Sequence, residues 1–203
     1  KDTSTDATPR TSPVNWVATP GITGHFNGVT DLCWEAAQGQ YLLTIGDDQT
    51  CRLWAPLNCL HSNASNEDTL WLEIARPQVH GYNLSAITSV STLHSPHRIV
   101  SGADEKEIRV FDAPLSTLRL LSSIFEDDTL LRDADRRVER AYIPSLRLSN
   151  KATAADGAEE DNVDEMLQGG KAHDKLPLER DLGTESIWPE ARKLFGHQSE
   201  LYC

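Results

Sequence analysis

Apolar and polar residues alternate in short bursts along the first half of the chain. Val29, Asp31 and Cys33 share one face of an extended backbone, and Thr30, Leu32 and Trp34 share the other. This pattern predicts a strand with both faces at least partly buried. Tyr41 to Ile45 predicts a second strand, Gly46-Asp47-Asp48-Gln49 a tight turn, and Thr50 to Trp54 a third strand. Pro56 is expected to stop that strand, residues 55–69 to form a polar loop, and Leu70 to Ala75 to return as an outer fourth strand. A second round follows, with strands expected around Ala86 to Val90, Arg98 to Ser101 and Glu107 to Phe111 and a stop at Pro114. Leu118-Arg119-Leu120-Leu121 is the candidate for its fourth strand.

The two rounds are copies. Thr44 to Trp54 recurs as Ser101 to Phe111 at a constant spacing of 57 residues. Each copy places small residues before a polar turn and an alternating run ending in an aromatic after it. That layout is a WD-type β-propeller blade. A blade buries its faces only against neighbours, and propellers carry about 4–8 of them. The expected fold is therefore all-β, a partial set of WD40 propeller blades from a longer protein. Residues 1–13 are expected to be loop or disordered, and Val14 to Ile22 to hold a short strand of a preceding blade. The last blades of a first propeller are assigned to 14–124, an acidic disordered linker or insertion to 125–186, and the start of a second propeller to 187–203. Within the linker, Tyr142 to Ser149 is a candidate ordered island. Leu194-Phe195-Gly196-His197 repeats the Gly24-His25 opening.

The formal net charge of −12 argues against wrapping nucleic acid, which takes clustered Lys and Arg. No apolar run approaches the length of a membrane span, and no signal peptide is visible. Cys33, Cys51, Cys59 and Cys203 form no CxxC pair and have no histidine at ligand spacing. Cys33 and Cys51 read as core thiols in a reducing compartment. His61, His94, His97 and His173 show no ligand spacing either, so no metal or cofactor site is expected.

Two groups of residues carry candidate chemistry. In a WD blade, His25, Thr44, Asp48 and Trp54 would form one hydrogen-bonded network tying the outer loop to the central strands. It mimics a His-Asp-Ser catalytic set, but a nucleophile site also needs an open pocket and an oxyanion hole, so a structural role is expected. The second copy departs from it. Glu105 stands at the Asp48 position with an acid one place earlier at Asp104, and Phe111 replaces Trp54, so an incomplete network is expected. The segment Arg76-Pro77-Gln78-Val79-His80-Gly81-Tyr82 reads first as an interblade connection ordered by Pro77. Its sharper reading is a partner contact through Arg76, Gln78, His80 and Tyr82.

Several runs are more specific than a generic WD repeat. They are Gly24 to Leu32 with Trp34, Asp48 to Leu53, Glu73 to Tyr82, Ser101 to Lys106, Leu148 to Ala152, and Trp188-Pro189-Glu190 with Lys193 to His197. In these the chain resembles the Elongator complex subunit 2 family over most of residues 14–203. Cys51 departs from the family's usual Thr, and residues 125–140 follow no family pattern. The resemblance implies two WD propellers in tandem and a non-catalytic scaffold in a complex that modifies the wobble uridine of transfer RNA. It implies as partners a radical-SAM and acetyltransferase-like catalytic subunit and a large scaffold subunit. Transfer RNA is met only indirectly and no membrane is involved; the setting is the cytoplasm and also the nucleus. The competing readings are a generic WD-repeat adaptor recruiting a kinase or transcription factor, and an enzyme with its site at the central channel. The latter needs converging titratable groups that this sequence does not supply.

Overall fold

The computed structural model describes residues 23–58, 69–93, 95–142, 151–153 and 176–202. The expectations for residues 1–22, for most of the island 142–149 and for Cys59, His61, His94, His173 and Cys203 lie outside them. The first repeat folds into a four-stranded antiparallel meander: β1 (Val29–Trp34), β2 (Leu42–Gly46), β3 (Thr50–Asn58) and β4 (Thr69–Val79). Two strands run further than the sequence pattern suggests. Pro56 does not end β3; it pairs with Trp71, so β3 and β4 extend together as a hairpin arm. β4 likewise continues through Pro77 to Val79, so the segment read as a connection is mostly outer strand. Pro77 is tolerated because β4 is an edge strand, and Pro56 because the pairing of β3 with β2 ends at Trp54, leaving β4 as its single neighbour there.

The turn between β2 and β3 needs a left-handed residue, and Gln49 supplies it (φ 64°). Gly46 is there for a different reason. A Cβ on it would sit 2.4 Å from the carbonyl oxygen of Gly28, so only glycine lets the two backbones approach.

The second repeat forms β5 (Leu84–Thr92), β6 (Ser95–Ala103) and β7 (Ile108–Asp112). Its fourth strand is not Leu118 to Leu121. Pro114 starts helix α1 (Leu115–Phe125), whose Leu115, Leu118, Leu121 and Ser122 recur at helical spacing and are buried. Two single 3-10 turns follow at Asp128–Leu131 and Ala134–Arg136. Next come the paired strands β8 (Arg140–Tyr142) and β9 (Lys151–Thr153), and the one-turn helix α2 (Glu179–Leu182). The chain then returns as β10 (Glu190–Leu194), which pairs with β7 and completes the sheet in the order β5-β6-β7-β10. Residues 187–203, expected to open a further propeller, thus include the outer strand of the second sheet.

The sheets face each other. Tyr41, Leu43, Ile45, Cys51, Leu53 and Ile74 of the first share one core with Leu84, Ile87, Ile99 and Phe111 of the second. Leu118 and Leu121 of α1 and Trp188 join the same core. Polar links run beside it. The Thr30 hydroxyl donates to the carbonyl of Leu84, the Ile87 N–H to Asp31, and the His80 N–H to the carbonyl of Gln49. The other face of β1 is only partly buried, with Leu32 and Trp34 more than half exposed. Trp34 meets Trp71 edge-on with ring centroids 5.6 Å apart, and no described sheet covers the pair.

Candidate functional site

The turn before β1 and strands β2 and β3 bring His25, Thr44, Asp48 and Trp54 together. The Trp54 indole N–H donates to the Thr44 hydroxyl at 2.8 Å, and Thr44 lies 2.7 Å from His25 Nε2. His25 Nδ1 sits 2.9 Å from both oxygens of Asp48. With each donor used once, the hydrogens run in one direction from Trp54 through Thr44 and His25 to Asp48. Burial opposes the charge on Asp48, but hydrogen bonds from His25 and Thr50 outweigh it and hold the carboxyl below its ordinary value.

The network does not stop at four residues. Arg52 donates to Asp48 (3.1 Å) and to Glu73 on β4 (2.9 Å). Glu73 also receives Arg76 (2.8 Å) and the Thr23 hydroxyl (2.5 Å), and Arg76 goes on to Glu179 of α2 at 3.0 Å. Asp48 and Glu73 are buried carboxylates, and the two arginines repay the desolvation that an isolated charge would incur.

The second sheet holds a changed version. His80 stands four residues before β5, as His25 stands four before β1, and His80 Nε2 lies 3.0 Å from Glu105. Glu105, not Asp104, therefore takes the place of Asp48; Asp104 accepts from Ser85 instead. Arg109 bridges Glu105 (2.6 Å) and Glu190 of β10 (2.9 Å), as Arg52 bridges Asp48 and Glu73. The registers agree: Glu73 lies opposite Trp54 and Glu190 opposite Phe111. Ser101, the counterpart of Thr44, donates to Gln78 at 2.7 Å. His80 Nδ1 accepts the N–H groups of Gly81 and Tyr82, which assigns its proton to Nε2. Burial, aided by the charge of Arg109, outweighs Glu105 and keeps this imidazole below its usual value. Burial opposes the charge on Glu105 too, but the hydrogen bond from Arg109 and the charges of His80 and Arg109 leave its carboxyl lowered.

Of the four residues considered for partner contact, three turn inward. Arg76 is committed to Glu73 and Glu179, Gln78 is buried against Ser101, and His80 is held by Glu105. Tyr82 is exposed. Glu73 and Glu190, which anchor both networks to the outer strands, were missed by the repeat. The signal was a Trp-x-Glu spacing: Trp71 with Glu73, and Trp188 with Glu190.

Burial pushes the Cys33 thiol up to about 11, and the Cys51 thiol well above its ordinary value, so both stay protonated at neutral pH. Among the described residues no group of three His, Cys, Asp or Glu side chains could hold a metal ion. No described helix is long and apolar enough to cross a membrane. A cleft of about 420 Å³ with mixed polar and apolar walls opens where the β1–β2 and β5–β6 turns meet the first 3-10 turn, with His97 in its wall.

Two antiparallel four-stranded sheets, the first holding this His-Asp-Thr-Trp network and the second its changed form, define WD-type propeller blades. The family "WD domain, G-beta repeat" matches residues 16–55, which hold the first such repeat. Nearly the whole chain is homologous to Elongator complex protein 2. It is 35% identical to the Rattus norvegicus protein over 95% of this chain and 24% of that protein. For the Arabidopsis thaliana protein the figures are 36%, 93% and 24%. For the Saccharomyces cerevisiae protein they are 36%, 90% and 23%. The chain thus spans about a quarter of the length of the curated relatives it matches.

Proposed function

We propose that this chain is part of a WD-repeat scaffold subunit of an Elongator complex, supports wobble-uridine modification of transfer RNA, and holds no catalytic centre of its own. The observation that carries the reading is identity of about 35% with Elongator complex protein 2 along almost the entire chain, from an animal, a plant and a yeast. The geometry supports it. The His25-Asp48-Thr44 constellation is spent on internal hydrogen bonds, and the described thiols are protonated. A frame of stiff sheets linked by turns suits the holding of several partners at fixed distances. The partners in this reading are a radical-SAM and acetyltransferase-like catalytic subunit and a large scaffold subunit, in the cytoplasm and nucleus. Two WD propellers in tandem would frame these blades in the whole protein.

The test is nucleoside analysis of transfer RNA from cells lacking the gene. The expected result is loss of the 5-carbonylmethyl-type wobble uridines, restored by the intact gene. Unchanged modification in such cells would refute the reading.

A further inference from the structure

We propose that the outer edge of β7 is a strand-acceptor site for an extended Trp-x-acid segment, filled in this chain by residues 187–194. In the first sheet the outer strand is contiguous with its neighbours. In the second it arrives from far along the chain, since β7 ends at Asp112 and β10 begins at Glu190. Everything that receives it belongs to elements already in place. β7 offers its free edge, with Glu190 opposite Phe111 and Leu194 opposite Ile108. Arg109 offers a guanidinium to Glu190 at 2.9 Å. The first sheet supplies the rest: the carbonyl of Pro77 accepts the Trp188 N–H at 2.9 Å, and the Arg76 N–H donates to the Ser186 hydroxyl at 2.8 Å. Trp188 itself is fully buried in the shared core.

The first sheet shows what such an edge recognises. There Arg52 holds Glu73 two residues after Trp71, in the register that Arg109 and Glu190 repeat. Trp188 and Glu190 follow Trp71 and Glu73 by 117 residues, 60 more than the repeat spacing of 57. The additional residues separate the strand from its sheet in sequence and keep the arginine–glutamate pairing, while Trp188 is fully buried where Trp71 is 39% exposed beside Trp34. Backbone pairing supplies the affinity of such a site, and the anchoring side chains supply its selectivity. The strand therefore stays in place when the chain is cut ahead of it, and a free peptide of the same sequence replaces it.

The experiment places a specific protease site between Gly157 and Ala158 in the full chain. Complete cutting is verified under denaturing conditions. The expected result is one native peak on size exclusion, containing both pieces. A fluorescent peptide of residues 178–202 then exchanges into the cut protein. Peptides with Trp188→Ala or Glu190→Arg bind at least about tenfold more weakly. An Arg109→Glu acceptor restores the Glu190→Arg peptide. Pieces that part on the column, or variant peptides that exchange as readily as the parent, would overturn the proposal. The peptide variants decide the matter even where the Arg109→Glu chain does not fold.

Discussion

Glu73 receives four hydrogen bonds from three side chains, two arginines and Thr23. Glu73→Gln would leave Arg52 and Arg76 facing each other without their shared anion. Breaking a buried pair from one side costs about 3–5 kcal/mol. Hydrogen exchange at β3 and β4 should report a loss of that order, while exchange at β6 changes little. Trp54→Phe makes a milder change, because it copies the second sheet's Phe111 and removes one indole donor. The expected cost is about 1–2 kcal/mol, read from the same amides. The histidines set the pH response. His80 and His97 are both held below the ordinary imidazole value by burial. The folded chain therefore binds fewer protons than the unfolded chain near pH 6.5, so stability falls as the solution is acidified through that pH. Thermal melts between pH 7.5 and 5.5 should show the midpoint dropping, and His80→Gln should flatten part of the drop. At this scale the sequence was informative about one network and blind to its extension. Gly24-His25, Thr44, Asp48 and Trp54 fit the WD blade pattern and can be read from the chain. Glu73 and Glu190 acquire meaning only when β4 and β10 take up their register.

Strands β1 to β7 were legible, β3 and β4 short of their full length, because alternation and turn residues act locally. The elements that were not legible depend on partners far away in sequence. Leu118 to Leu121 reads as an apolar strand in a four-residue window. Only the wider spacing of Leu115, Leu118, Leu121 and Ser122 shows the helical face, and only the core shows what it packs on. Leu118→Ala should destabilise the chain by about 2–5 kcal/mol, whereas Ser123→Ala on the exposed side should be nearly neutral in denaturant melts. β10 escaped for a related reason. Its residues alternate weakly, and its place is set by Trp188 and by Arg109 on β7. Trp188→Ala should cost about 3–5 kcal/mol and expose the amides of β7 to exchange. If β7 kept its protection, β10 would not be the strand that covers it.

At the scale of the molecule, the two sheets are held by one apolar core and a row of polar links, and Glu179, Ser186 and Trp188, just ahead of β10, reach back to the first sheet. Arg76–Glu179, Arg76–Ser186 and Trp188–Pro77 fasten that return to the rim of the first sheet. The repeat made the fold class readable from sequence, because a 57-residue duplication of hairpins has few other solutions. The proposed function is readable only through the family resemblance, since no motif in the sequence points to a particular reaction. The most direct measurement is a purification of the intact protein, under native conditions, from cells of its own organism. The catalytic and large scaffold subunits of Elongator should accompany it in equal amounts. Recovery of a folded, intact protein free of both would contradict the scaffold assignment.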